Sequence, residues 1–189
     1  ITLGNYDRRA TRAMVNIPLS DTLAVRVAAA MDQSEGVVDF LPGSAMGEKY
    51  GSTDLAAARF SAFYQPSDKF DLTFSYENFT DNGTGNIPTI SGGSDRSSYV
   101  QEPGFNDATS DSFRTRMNYN FDSGLQLAYI GGYTDTSRVS VWDRTWSLEK
   151  YEWGGCVECD HEATQHEFQF KNDDAERLQW MVGYFYFKE

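Results

Sequence analysis

The residues best suited to chemistry lie in one segment, CVECDHEATQH, which gathers Cys156, Cys159, His161 and His166. Two thiols at C-x2-C spacing form a small disulfide ring, supply half of a metal site, or remain free. With the two imidazoles they could ligate zinc tetrahedrally, although a structural zinc site separates its ligand pairs by a longer loop. Just upstream, VSVWDRTWSLEKYEWGG sets Trp142, Trp146, Tyr151 and Trp153 in one polar stretch, where aromatic faces could stack on a ligand or pack within the loop. Arg12, Arg26, Arg59, Arg114 and Arg116 are placed to steer an anion or to pair with carboxylates such as Asp71 and Glu77. The acids Asp81, Asp95, Glu102, Asp107 and Asp111 lack the D-x-D-x-D-G spacing of a calcium loop and read as a solvated surface. No Ser-His-Asp set, Cys-His nucleophile, phosphate loop or dinucleotide fingerprint stands in a usable context. The expectation is a protein that is not an enzyme and that carries no cofactor or resident metal.

The elements that would position these residues follow from composition and periodicity. A formal charge of −12, from 16 basic against 28 acidic residues, excludes a basic nucleic-acid-binding face. No apolar run approaches the ~20 residues of a membrane helix. A mean hydropathy of −0.55 is compatible with membrane-crossing strands, in which only every second residue faces lipid.

Helical periodicity is poor, whereas two-residue alternation recurs in segments of about ten residues and indicates an all-β chain. Ala13, Val15, Ile17 and Leu19 share one face against Arg12, Met14 and Asn16; Leu23, Val25, Val27, Ala29 and Met31 stand against Arg26 and Asp32. Ala58, Phe60, Ala62 and Tyr64 follow, then Phe70, Leu72, Phe74 and Tyr76, with Phe63 out of pattern. Phe113, Met117, Tyr119 and Phe121 oppose Arg114, Arg116, Asn118 and Asn120, and Leu125, Leu127, Tyr129 and Tyr133 oppose Gln126 and Thr134. The last pair is His166, Phe168 and Phe170, then Trp180, Val182 and Tyr184.

Short polar turns, SDT, PSDK, DSG and NDDAE, alternate with long polar segments at about 35–54, 81–111 and 138–162. A soluble antiparallel sheet explains alternation but neither long strands nor loops sorted by length. A bacterial outer-membrane barrel explains both, because every backbone polar group in lipid must be paired and short periplasmic turns alternate with long external loops. Tyr64, Tyr76, Tyr119, Tyr129 and Tyr133 are then candidates for the aromatic girdles.

Three stretches carry a resemblance: GNYDRRATRAMVNIPLSDTLAVRVAAAMDQSEGVV, RFSAFYQPSDKFDLTFSYENFTDNGTG and EFQFKNDDAERLQWMVGYFYFKE. Together they resemble the first third of the barrel of TonB-dependent outer-membrane receptors. The resemblance implies residues 1–189 as a partial barrel domain, eight or nine strands of a 22-stranded transmembrane antiparallel up-and-down β-barrel. It implies an N-terminal plug, and import of a scarce solute driven by an inner-membrane TonB complex. Ferric siderophores are the commonest cargo, with cobalamin and glycans behind them.

The family's plug and its terminal aromatic residue have no counterpart here, so the chain reads as a fragment. Gly4 to Asp7 becomes an external hairpin and IPLSDT the first periplasmic turn. The Cys156–Cys159 segment falls outside the cell, where disulfides persist, which favours a disulfide ring over metal. His166 becomes a structural wall residue. The tryptophan-rich loop closes over cargo, with Trp142, Trp146, Tyr151, Trp153, Arg114 and Arg116 as ligand-binding candidates, or it packs and touches lipopolysaccharide. Expected partners are outer-membrane lipid and lipopolysaccharide, the TonB complex and a small solute, without nucleic acid. The rival is a small eight-stranded outer-membrane barrel with a structural or adhesion role.

Overall fold

The computed structural model describes residues 1–44, 49–84, 96–102, 104–145, 152–172 and 178–189. Its strands are β1 (Thr2–Leu3), β2 (Arg9–Ser20), β3 (Leu23–Ser34), β4 (Asp39–Phe40), β5 (Thr53–Ser67), β6 (Phe70–Asp81), β7 (Ser97–Ser98), β8 (Phe105–Asn120), β9 (Leu125–Asp143), β10 (Trp153–Cys156), β11 (His161–Asn172) and β12 (Trp180–Lys188). One antiparallel sheet runs β1-β2-β3-β5-β6-β8-β9-β11-β12, with β10 paired to the far end of β9. Sequential strands are neighbours throughout, which is the up-and-down order of a barrel wall.

Tight turns join the strands at one end. Gly124 adopts φ +76°, and Gly124 N donates to the Phe121 carbonyl at 3.1 Å, so the DSG turn needs a left-handed residue that only glycine supplies without strain. Near the β2–β3 turn the register shifts between Pro18 and Ser20, where proline has no N–H to donate. At the other end the connections are long. The first hairpin is the exception: Tyr6 and Asp7 have φ of 61° and 50°, and Gly4 N donates to the Arg8 carbonyl at 3.0 Å.

The register aligns the apolar faces of all eight long strands. One ladder row reads Val15, Val27, Phe60, Tyr76, Phe113, Tyr133, Thr164 and Lys188. The opposite face carries Asn16, Arg26, Ser61, Ser75, Arg114, Gly132 and Gln165. Nothing among the described residues covers the apolar face: Val15 is 50% exposed and Phe168 45%. A soluble sheet this apolar would bury that face against a second layer.

The upper edge of the apolar face slopes across the sheet. It lies at Met31–Ala56 on β3 and β5, at Tyr76–Phe113 on β6 and β8, and at His166–Tyr186 on β11 and β12. Followed through the register, Tyr186 shares a row with Val25, six residues below Met31 on β3. Six residues over six strand steps is one residue per strand, which with ~3.4 Å per residue and ~4.8 Å between strands corresponds to a tilt of about 35°. Barrel strands tilt by a similar amount.

Two segments expected as loops are partly strand. β8 begins at Phe105 within 81–111, and β9 continues to Asp143 within 138–162, where β10 folds back on it. Above the sloping edge, residues 107–112 on β8 and 134–138 on β9 are polar on both faces apart from Ala108, so hydropathy alternation fades while the backbone ladder continues.

Candidate functional site

Two places bring polar groups together: the polar face of the sheet and the cap formed by the long connections. On the polar face, Arg59 is ion-paired with Glu77 across the β5–β6 ladder, and Arg26 Nε donates to Asn16 Oδ1 at 2.5 Å. Asp71 accepts the Asn118 amide at 2.9 Å rather than an arginine. Arg114 and Arg116 meet no carboxylate among the described residues. Their cross-strand neighbours are Ser75 and Gly132 for Arg114, and Thr73 and Ile130 for Arg116. These groups and Thr134, Gln165 and Phe187 line a cavity of about 500 Å³. Two guanidiniums beside hydroxyls and aromatic residues suit an anionic group with an apolar part.

The cap is built on side-chain contacts. Asp39 N donates to the Arg96 carbonyl and Leu41 N to the Ser98 carbonyl, so β4 and β7 pair in parallel across two long connections. Val38, Tyr50 and Val100 form a buried cluster with Val37 and Phe40 against it. Tyr50 Oη donates to the Glu102 carbonyl at 2.9 Å and accepts from Asp143 N at 3.2 Å. Asp143 has no exposed surface, and its carboxylate accepts Gln101 N at 2.7 Å, Thr145 N at 2.8 Å and Thr145 Oγ1 at 3.0 Å. Burial pushes the Tyr50 phenol above its usual pKa. Arg96 joins the first hairpin to this cap, with Nη1 donating to Tyr6 Oη at 2.5 Å and the guanidinium over the Tyr6 ring.

Among the described residues, the candidate ligand residues do not converge. Trp142 on β9 and Trp153 on β10 lie in neighbouring rows of the β9–β10 ribbon and so on opposite faces, Trp142 opposite Gly154 and Trp153 opposite Asp143. Trp146 and Tyr151 lie outside the described residues. Arg114 pairs with Gly132, ten residues down β9 from Trp142, so the arginines sit about 30 Å below the tryptophans.

Cys156 and Cys159 are joined by a disulfide. Cys159 N donates to the Arg138 carbonyl at 3.0 Å and its carbonyl accepts Arg138 N at 3.2 Å, so the ring fastens the segment before β11 to β9. His161 faces Glu189, with Nδ1 3.2 Å from Oε1, whereas His166 lies on the other face with Nδ1 2.9 Å from Tyr129 Oη. No three His, Cys, Asp or Glu side chains converge as a metal site among the described residues. Sequence reasoning missed Tyr50 and Asp143, which are 93 positions apart and carry no motif. A tyrosine and an aspartate in polar stretches gave no signal.

This fold has a counterpart among solved structures. The chain has the fold of part of an antiparallel up-and-down β-barrel wall. It is similar to the ferric-catecholate import receptor Fiu of Escherichia coli K12 in its closed crystal form, with a TM-score of 0.67 and 13% identity. The match covers 90% of this chain and 27% of that receptor chain, so the likeness is one of fold and this chain spans about a quarter of the receptor's length. No family model and no curated protein matches the sequence.

Proposed function

We propose that this chain is part of the wall of an outer-membrane receptor that imports a scarce solute, a ferric siderophore, with energy from a TonB complex acting through a plug domain. The observation that carries the reading is the uncovered apolar face whose edge slopes by one residue per strand. A tilted strand crossing a bilayer needs that pattern, and a soluble sheet has no use for it. Tyr76, Phe113 and Tyr133 then sit at the outer interface, with Asn78, Asp111 and Asp135 one row above in water.

The polar face becomes the lumen, and the Arg114–Arg116 pair gives an anionic chelate a favourable surface within a chain of net charge −12. The cap supplies the external mouth. The protein binds and moves its solute without catalysis. In the sheet β12 pairs with β11 and β2 with β1 and β3, and among the described residues no strand pairing closes the two edges, which supports a wall in a larger barrel over a closed eight-stranded one.

Uptake of a radiolabelled ferric chelate under iron limitation tests the reading. Deleting the full-length gene, or the energy-coupling complex, is expected to abolish high-affinity uptake while the protein fractionates with the outer membrane. Unchanged uptake in both strains would overturn the transport role.

A further inference from the structure

The outward apolar face contains one imidazole. His166 lies in the row Phe74, Thr115, Gly131, His166 and Tyr186, at the top edge of the apolar face on β11 and β12. A lone histidine in lipid is costly unless both ring nitrogens are satisfied. The chain makes specific provision for one of them. A Cβ at Gly131 would fall 2.7 Å from Tyr129 Cζ, so the absence of a side chain at Gly131 opens the slot in which the Tyr129 phenol lies. From that slot Tyr129 Oη reaches His166 Nδ1 at 2.9 Å. The imidazole is stacked between two phenol rings, Tyr129 at 6.1 Å and 20° and Tyr186 at 6.1 Å and 23°.

In the tautomer in which the Tyr129 phenol donates to Nδ1, the imidazole proton is on Nε2, which no protein group among the described residues meets. His166, Tyr184 and Tyr186 line an open cavity of about 570 Å³ together with Tyr129, Met117 and Phe168. One row higher, about 7 Å along the strands, stand Thr164 and the Lys188 ammonium. The carboxylates of Asp135 and Glu162 lie a further row up, in the aqueous zone. The cluster thus offers several donors, one cation and an apolar floor at the depth where acyl chains give way to headgroups.

We propose that the Tyr129–His166–Tyr186 cluster on the outward face binds the phosphate of a lipid headgroup in the leaflet beside the cap. The proposal rests on the reading of that face as lipid-facing. A phosphate oxygen accepts from Nε2–H and the Tyr186 hydroxyl, Lys188 adds charge, and the acyl chains lie against Met117 and Phe168.

The test is native mass spectrometry of the full-length protein, delipidated in detergent and incubated with phosphorylated lipid A or its dephosphorylated counterpart with the same acyl chains. The wild type is expected to retain the phosphorylated form preferentially. His166→Phe, which keeps the ring and loses the donor, and Gly131→Ala, which displaces Tyr129, are each expected to lower that retention about tenfold. Equal retention by wild type and His166→Phe overturns the site, as does equal retention of both lipids by the wild type. Membrane fractionation of the cells that supply the protein separates the two levels. A wild-type protein absent from the outer membrane defeats the lipid-facing reading itself, whereas a membrane-inserted protein indifferent to His166→Phe defeats only the site.

Discussion

The wall and the cap are held together by different physics. In the wall, each strand is fixed by a continuous backbone ladder to its neighbours, and its side chains stand in open rows, as with Val27 at 44% exposure and Tyr184 at 62%. In the cap, Tyr50, Val100, Ser98 and Asp143 have no exposed surface, and single side chains bridge segments distant in sequence. The wall relies on its surroundings to accept its apolar face, whereas the cap makes its own interior. Substitutions in the wall should therefore be judged by which face they fall on, and substitutions in the cap by which hydrogen bond they remove.

The largest effect is expected where a charge enters the middle of the apolar face. Val27→Lys should destabilise the inserted full-length protein by about 3 kcal/mol, while Ala28→Lys, one residue along on the polar face, should cost little. Reversible unfolding in lipid vesicles measures both, and equal costs would erase the distinction between faces. In the cap, Asp143→Ala leaves Gln101 N and Thr145 N without their acceptor and should weaken the cap locally by about 2 kcal/mol. Hydrogen exchange should then quicken at those amides while the β5–β6 ladder keeps its protection.

A smaller change, about 1 kcal/mol, is expected for Tyr50→Phe, which removes the hydroxyl bonded to Glu102 and Asp143 and keeps the ring in its cluster. Alkali should act in the same place. Burial raises the Tyr50 pKa, and hydrogen bonding to Asp39 raises that of Lys49. Both groups stabilise the protonated fold at lower pH and lose that contribution as pH rises through the elevated values, from about pH 10 upward. Tyrosine absorbance and hydrogen exchange should report the cap opening before the wall; simultaneous loss would contradict separate stabilities.

Legibility in the sequence divides along the same line. Val15, Val27, Phe60 and Phe113 were assigned to one face because strand periodicity is local and one environment acts on every strand alike. The fold class followed, along with the tight turns at Pro18 and Gly124. The upper halves of β8 and β9 were hidden, since strands with polar residues on both faces lose the hydropathy contrast that marks them. The pairing of β4 with β7 and the Tyr50–Asp143 contact depend on tertiary proximity, which no short window contains. Trp142 and Trp153 share one stretch of sequence, but the β9–β10 ribbon turns them to opposite faces, which a linear reading does not reveal. The Tyr129–His166 contact was not read from the sequence, which showed only the phase of His166 with Phe168 and Phe170; the signal it held was Gly131, since a glycine inside a strand marks a close approach.

The central claim is that the aligned apolar face contacts lipid. Nitroxide labels placed singly from Ala24 to Met31 on β3 of the full-length protein in bilayers test it most directly, by comparing collision rates with oxygen and with a water-soluble nickel chelate. The account predicts a two-residue alternation in which Val25, Val27, Ala29 and Met31 favour oxygen, while Ala24, Arg26, Ala28 and Ala30 do not. Absence of alternation, or alternation in the opposite phase, would contradict it.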